Sequence, residues 1–192
     1  DVIIAGGGTA GCAAAYTASK LGLKALLIEK NIHLGGTITS GLVVPIMKCG
    51  DNQINRDFYD DLTAELHAIE GQITYEGNQG WFNPELTKIA LDNLMAKAGV
   101  DVLFGAEVAD VYIKNKKIKS ITLKQQILSE PIDKVYDTLL VNIDTRYVID
   151  ATGNCEIGKI CNCEFLEKFE QPVSLRFIMS GVDLNRFSNW LK

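Results

Sequence analysis

A glycine-rich turn between a predicted strand and a predicted helix constrains this chain more than any other feature. The apolar run at 2–5 leads into Gly6, Gly8 and Gly11, which are spaced as G-x-G-x-x-G, and an alanine-rich stretch then runs to Gly22. In a strand–turn–helix unit the first glycine allows the tight turn, the second lets a ligand approach the backbone, and the third lets the helix pack closely on the sheet. The pattern predicts an α/β fold with a parallel sheet and a helix N-terminus that binds phosphate.

An acid follows the second predicted strand. The apolar run at 25–28 ends at Glu29, at about the 20-residue spacing where dinucleotide-binding proteins place a carboxylate on a ribose diol. The alternative is a glycine-rich turn that binds no ligand, which leaves a carboxylate at a strand end unexplained. The strand, the helix and the acid together favour a dinucleotide site.

A second glycine pair, Gly35 and Gly36, opens the stretch L-G-G-T-I-T-S-G at 34–41. Together with G-x-G-x-x-G and the acid, this stretch resembles the two-dinucleotide-binding-domain flavoproteins. It is especially similar to the FAD-dependent oxidoreductase family that carries L-G-G-x-x-T-S-G, a relative of the fumarate reductase and succinate dehydrogenase flavoproteins. The resemblance implies FAD rather than NAD. No motif marks a covalent flavin attachment, so the FAD is expected to be held non-covalently. The alternative interpretation of the glycine pair is an ordinary surface turn.

Two later segments support the same resemblance. The segment 146–153 reads as a short buried strand that runs into Ala-Thr-Gly, similar to the motif by which such flavoproteins bring the chain back under the FAD. Asn154 stands where many relatives have Asp, which puts a carboxylate role there in doubt but not the backbone role. Val108 matches the hydrophobic residue whose main chain meets the adenine in similar proteins, and a plain core valine is its alternative reading.

The resemblance implies a cofactor site but no catalytic residue, and the catalytic residues stay unknown. His33 lies in the loop after Glu29, His67 is interpreted as a surface residue, and Arg176 either holds an anion or is exposed or structurally paired. The candidate cofactor-binding residues come from the fingerprint, the second glycine pair and the two later segments: Gly6, Gly8, Thr9, Ala10, Gly11, Glu29, Lys30, Gly35, Gly36, Thr37, Thr39, Ser40, Val108, Ala151, Thr152 and Gly153.

Composition is that of a globular enzyme domain. The chain of 192 residues is 47% hydrophobic and 22% charged, with a net charge of −5, which argues against a nucleic-acid surface. No apolar run is long enough to span a membrane.

Five cysteines, an odd number, favour a reducing compartment such as the cytoplasm. Cys161-Asn-Cys163 lacks the spacing and the fourth ligand of a metal site, so no metal is predicted, and Cys12 is interpreted as a buried packing residue.

Periodicity and turn residues predict the remaining elements. Helices are expected at 56–68 and, after Asn83-Pro84, to 98; a short loop or strand is expected before the second helix. A parallel strand is expected at 100–104, and a β-meander follows it. The meander strands are expected at 108–114, 117–125 and 135–143, with turns at 115–116 and 129–131. Residues 173–179 are expected to form a strand, and a short helix follows Asp183.

These elements predict a Rossmann-like FAD-binding domain over 1–155, with an inserted segment at 44–82 and the meander at 107–145, and the beginning of a substrate domain at 156–192. The function that the resemblance implies is hydride transfer between a small organic substrate and flavin. A non-catalytic nucleotide-binding module, or a truncated FAD-binding domain, is the alternative. Modification of tRNA shares the fingerprint, but the acidic balance disfavours it.

The chain begins inside a predicted strand and ends just inside the second domain. It therefore resembles an N-terminal part of its family, with any targeting segment left open. The expectation is that the flavin ring pocket needs residues beyond Lys192, and that these 192 residues alone show no substrate turnover.

Overall fold

The structure is a computed structural model, and it describes residues 1–46, 56–75, 78–127, 137–166 and 173–191. A short 3-10 helix, Gly36–Ile38, lies between the second strand and the second helix. The other elements alternate between strands and helices in the first half and are mostly strands in the second. In chain order they are β1 (Val2–Ala5), α1 (Thr9–Lys20), β2 (Ala25–Glu29), α2 (Arg56–Ala68), β3 (Gln72–Tyr75), β4 (Asn78–Phe82), α3 (Pro84–Ala98), β5 (Asp101–Phe104), β6 (Ala106–Lys114), β7 (Lys117–Ile127), β8 (Asp137–Asp144), β9 (Tyr147–Asp150), α4 (Glu156–Ile160) and α5 (Leu184–Trp190).

Four parallel strands form the sheet that positions the site, in the order β5-β2-β1-β9. The register pairs Ala5 with Ile28 on one side and with Asp150 on the other. The carboxyl ends of β1, β2 and β9 therefore meet at one edge, which is where open α/β sheets bind their ligands. The predicted α/β class with a parallel sheet is confirmed.

The strand β1 is apolar throughout because both of its faces are covered. Val2 and Ile4 belong to a core shared with α1, α2 and α3, whereas Ile3 and Ala5 face a second core shared with the meander and α4. All four residues are at most 4% exposed. A strand that is buried on both faces has no polar alternation, and this accounts for the unbroken apolar run at 2–5.

The helices α2 and α3 form where the sequence predicts them. The side chain of Asn83 caps α3 by accepting hydrogen bonds from the backbone N–H groups of Glu85 and Leu86, and Pro84 occupies the first turn. The helix ends at Gly99, whose φ of 75° is the left-handed value that favours glycine. On α2, Phe58, Leu62 and Leu66 share a buried face, as their four-residue spacing predicts.

The predicted meander is confirmed as the antiparallel sheet β6-β7-β8. The first turn is at Asn115 and Lys116, whose φ values of 54° and 57° are those of a two-residue hairpin loop. The predicted second turn at 129–131 lies outside the described residues. The stretch expected as a loop or short strand forms the hairpin β3–β4.

Two expectations need correction. The strand at 147–150 exists but is only half-buried, with Tyr147 67% and Ile149 38% exposed, because no described strand lies beyond β9 in its sheet. Residues 173–179 form no strand in the described part of the chain. Their apolar side chains are exposed, at 98% for Val173, because no described strand pairs with them. None of the helices that the structure describes combines the length and hydropathy needed to cross a membrane.

Candidate cofactor site

The turn after β1 fits its surroundings only because Gly6 has no side chain. Its φ is 99°, and its N–H donates to the carbonyl of Ile28 at 2.8 Å. A Cβ atom built on Gly6 would lie 2.3 Å from the backbone oxygen of Ala151, far inside van der Waals contact. The fingerprint turn and the Ala-Thr-Gly turn are therefore in direct backbone contact.

Gly11 brings the first turn of α1 onto the same glycine turn. A Cβ atom at Gly11 would lie 1.8 Å from the carbonyl oxygen of Gly6 and 3.3 Å from Cβ of Ala151. The helix therefore approaches the sheet more closely than any larger residue allows. This is the role that the third glycine of the fingerprint predicts.

Gly8 has the opposite environment. It is the N-cap of α1, has extended backbone angles and provides no side-chain cap. A Cβ atom built there would meet no heavy atom within 4 Å, and the next two residues, Thr9 and Ala10, are exposed. The first turn of α1 thus presents backbone N–H groups and the positive end of the helix dipole to an accessible surface. This cradle fits a pyrophosphate group.

The second glycine pair lies against the first turn. The N–H of Gly35 donates to the carbonyl of Gly7 at 2.8 Å, and an isolated parallel bridge joins Gly8 to Gly35. A Cβ atom at Gly36 would lie 3.1 Å from Cα of Gly8. The two glycine segments therefore form one continuous surface, as an extended phosphate site requires.

The hydroxyl of Thr39 is used inside this loop. Thr39 is 1% exposed, and its Oγ1 donates to the carbonyl of Leu34 at 2.7 Å. Its neighbours Thr37 and Ser40 are exposed. The contacts of Thr39 therefore stabilise the loop, and the exposed hydroxyls of Thr37 and Ser40 are the ones accessible to a ligand.

Glu29 is a buried carboxylate fixed by three N–H donors. It is 6% exposed, its Oε2 accepts from the N–H of Gly7 at 2.6 Å, and its Oε1 accepts from the backbone and side chain of Asn31 at 2.8 and 2.7 Å. A Cβ atom at Gly7 would lie 3.0 Å from Cβ of Glu29. Gly7 and Asn31 were missed by the sequence analysis. The only signal was their place beside the predicted residues.

A second carboxylate, Asp150, organises the Ala-Thr-Gly turn. One oxygen accepts from the N–H and the hydroxyl of Thr152 at 3.1 and 2.7 Å, and the other accepts from the N–H of Gly158 at 3.0 Å. Burial opposes ionisation, but the hydrogen bonds from Gly158 and Thr152 outweigh it and lower the pKa of Asp150. The N–H of Ala151 donates to the carbonyl of Ala5 at 2.8 Å, which fixes the turn beside the first glycine.

The remaining candidate residues lie further from this edge or serve the core. Lys30 is exposed on the residue after the acid, and Val108 is half-buried on β6 within the meander core. Gly153 is exposed at the end of its turn. The structure therefore brings the fingerprint, the acid, the second glycine pair and Ala151 together, and it leaves Val108 on a separate sheet.

The histidines, Arg176 and Cys12 differ in how far they are buried and in what they contact. His33 is partly buried, with its Nε2 atom 3.4 Å from Oγ of Ser40, and His67 is exposed. Arg176 is exposed, and its Nη1 lies 3.5 Å from the carbonyl oxygen of Leu42. Cys12 is fully buried, and this burial raises the pKa of its thiol to about 12. Within the described ranges, no three His, Cys, Asp or Glu side chains are grouped to hold a metal ion.

Comparison with known proteins agrees with this geometry. The sequence model of the family described as FAD dependent oxidoreductase matches residues 1–191. The chain is similar to a thiamine thiazole synthase of Methanococcus aeolicus, with 29% identity over 157 residues, 80% of this chain and 55% of the relative. It is also similar to that of Pyrococcus horikoshii, with 28% identity, 80% of this chain and 57% of the relative. The chain thus spans about half the length of these curated relatives.

Solved structures share the fold. THI4 of Thermovibrio ammonificans aligns with a TM-score of 0.59 and 22% identity, over 85% of this chain and 63% of that one. A flavoprotein/dehydrogenase from Cytophaga hutchinsonii aligns with a TM-score of 0.55 and 18% identity, over 88% and 44%. These likenesses confirm the Rossmann-like FAD-binding fold. Because the family match extends over nearly the whole chain, this protein belongs to the FAD dependent oxidoreductase family, and its cofactor is FAD.

Proposed function

We propose that this chain supplies the FAD-binding part of an oxidoreductase that passes a hydride between a small organic substrate and flavin. The observation that carries the proposal is the arrangement of Gly8, Glu29 and Ala151 at one edge of the parallel sheet. FAD bound at that edge supplies the hydride chemistry, and the protein binds and orients it. We assign the FAD-binding domain to residues 1–155 and the start of the substrate domain to 156–192.

The described contacts support the proposal that different segments of the chain bind different parts of FAD. The N–H groups of the first turn of α1, together with the Gly36 segment, are suited to the pyrophosphate because they carry no opposing charge. The Glu29 carboxylate is suited to the adenosine ribose, since only part of its hydrogen-bonding capacity is used. The backbone at 151–153 is proposed to lie under the flavin half, and the main chain of Val108 is proposed to meet the adenine.

The proposed substrate is a small molecule, and no catalytic residue is assigned. The net charge of −5 disfavours a nucleic-acid partner. Cys12, Cys155, Cys161 and Cys163 are free thiols, which supports a reducing compartment such as the cytoplasm.

A second candidate is the activity for which the curated relatives are named, the synthesis of the thiamine thiazole. The similarity over 157 residues favours it. The two candidates differ in the reaction that the full-length protein performs. An oxidoreductase cycles its bound FAD between oxidised and reduced forms when its substrate is added, whereas formation of a thiazole product would favour the second candidate.

The first test is to purify the full-length protein and record its flavin spectrum before and after denaturation. We expect FAD to be released into solution, because the contacts proposed for it are hydrogen bonds and backbone approach. Anaerobic addition of candidate substrates should then bleach the flavin absorbance of the native protein. Flavin that stays with the denatured chain, or a protein that releases only NAD, would contradict the proposed cofactor binding. FAD-loaded protein that no substrate reduces would favour the module.

Glu29→Ala is expected to weaken FAD binding about tenfold or more. A charge-assisted hydrogen bond to the ribose contributes roughly 1.5–3 kcal/mol, and each 1.4 kcal/mol is about a factor of ten. The dissociation constant can be measured by titrating the apoprotein with FAD and following flavin fluorescence. Glu29→Gln removes the charge but keeps an oxygen that can accept from the N–H of Gly7. Comparing it with Glu29→Ala separates the effect of the charge from the effect of that hydrogen bond. Glu70→Ala, at an exposed glutamate, is the control. Wild-type FAD affinity in Glu29→Ala would show that Glu29 does not contact the adenosine ribose.

A further inference from the structure

We propose that Asn31 is a positioning residue that holds the Glu29 carboxylate in place for the adenosine ribose. The inference rests on the proposed role of Glu29 and adds to it a residue that the fingerprint does not include. It is carried by the hydrogen bonds around that carboxylate and by the place of Asn31 between two sheets.

The first observation is that Asn31 donates twice to one oxygen. Its backbone N–H and its side-chain Nδ2 lie 2.8 and 2.7 Å from Oε1 of Glu29. The other oxygen is held by the N–H of Gly7 at 2.6 Å. With each oxygen fixed from a different side, the carboxylate plane has one orientation. Two carboxylate oxygens offer about four acceptor sites, and these three donors leave about one for a ribose hydroxyl.

The second observation is the burial of the acid. Glu29 is 6% exposed, and an ionised carboxylate that loses its solvent must be compensated by hydrogen bonds. The amide of Asn31 is one of the three donors that compensate it. Removing that donor leaves Oε1 with the backbone N–H of Asn31 as its remaining donor. The carboxylate is then held less tightly, and FAD binding must bear more of the entropy cost of fixing it.

The third observation is that Asn31 connects two sheets. Its carbonyl accepts from the N–H of Gly105 at 3.3 Å, and Gly105 lies between β5 and β6. The strand β6 carries Val108, the residue proposed for the adenine. Asn31 therefore links Glu29 to the start of the meander. Its backbone carbonyl shapes the loop, which we call its loop role, whereas its side-chain amide contacts Glu29. A change in the side chain alone therefore tests the positioning role.

Asn31→Asp separates those two roles. Aspartate has nearly the same shape and forms turns as well as asparagine does, but its carboxylate cannot donate to Glu29 and repels it. A loop role predicts wild-type FAD affinity in this variant. A positioning role predicts affinity at least about tenfold weaker, and weaker than in Asn31→Ala, which lacks the donor but adds no repulsion.

The experiment measures FAD affinity of the full-length protein and of both variants by flavin fluorescence, with thermal unfolding of each apoprotein alongside. Ile32→Ala, at a neighbouring side chain that is 85% exposed, is the control. The affinity of an FAD analogue whose adenosine ribose lacks its hydroxyls is measured in parallel. Wild-type protein should discriminate against the analogue, and Asn31→Asp should lose most of that discrimination, which a purely structural defect would not cause.

A double-mutant cycle completes the test. In a Glu29→Gln background the amide of residue 29 can donate to the new aspartate, so Asn31→Asp should cost less than about threefold, against about tenfold in the wild type. An Asn31→Asp penalty that is the same in both backgrounds overturns the inference, as does wild-type affinity in Asn31→Asp. If Glu29→Ala also binds FAD normally, it is the ribose assignment that fails, whereas a weakened Glu29→Ala beside a normal Asn31→Asp refutes only the role of Asn31.

Discussion

Gly8→Ala is expected to lower FAD affinity by up to about a hundredfold while the apoprotein stays folded. The new methyl group would meet no protein atom within 4 Å, and the backbone at Gly8, with φ of −69°, suits alanine. The methyl would instead fill the space beside the helix N-terminus where the pyrophosphate is proposed to lie. Overpacking of a close contact costs about 1–3 kcal/mol, and the upper end corresponds to about a hundredfold.

The measurement for Gly8→Ala combines an FAD titration with denaturant unfolding of the apoprotein. The free energy of unfolding should fall by no more than about 1 kcal/mol, since alanine is a poorer N-cap than glycine. Affinity within a few-fold of wild type would mean that the cofactor does not approach this backbone. A large loss of stability would mean that the space beside Gly8 is not accessible in solution.

Gly11→Ala is expected to do the reverse and destabilise the apoprotein by about 3 kcal/mol or more. Alanine gains up to about 1 kcal/mol of helix propensity over glycine. That gain is outweighed because the Cβ atom would lie 1.8 Å from the carbonyl oxygen of Gly6, a backbone atom that cannot rotate away. Relief requires α1 to move off the sheet and so loses buried contacts of residues such as Cys12 and Ala15, both fully buried.

Denaturant unfolding of the wild type and of Gly11→Ala, both without FAD, checks this result. Gly8→Ala is the matched control, because it adds the same methyl group to the same fingerprint. Gly8→Ala should bind FAD more weakly with nearly unchanged stability, whereas Gly11→Ala should have a clearly lower free energy of unfolding. A Gly11→Ala protein as stable as the wild type would show that the helix lies further from the glycine turn.

The sequence predicted the features that depend on neighbouring residues. Asn83 and Pro84 begin α3, and Gly99 ends it, because caps and left-handed glycines act within one turn of the chain. The glycine fingerprint predicted the strand–turn–helix unit for the same reason.

Features that depend on distant partners were harder to predict. The alternation at 173–179 resembles a strand, but a strand needs a neighbour to pair with, and the exposed side chains of Val173 and Leu175, at 98% and 87%, show that no described strand provides one. The half-exposure of β9 follows from its place at the edge of the sheet, which local sequence does not encode. The role of Asn31 depends on the side-chain orientation of Glu29, and a single sequence does not contain that.

The strand order β5-β2-β1-β9 also determines when the cofactor site can be completed during synthesis. β1 is translated before both of its neighbours in the sheet, and one of these, β9, is contributed by the distant segment Tyr147–Asp150. The turn at Gly6 is in contact with Ala151, so one side of the phosphate-binding turn is missing until Ala151 has been translated. Closing so long a loop slows folding. Until then one edge of β1 lacks its partner strand, and an unpaired strand edge can pair with other chains.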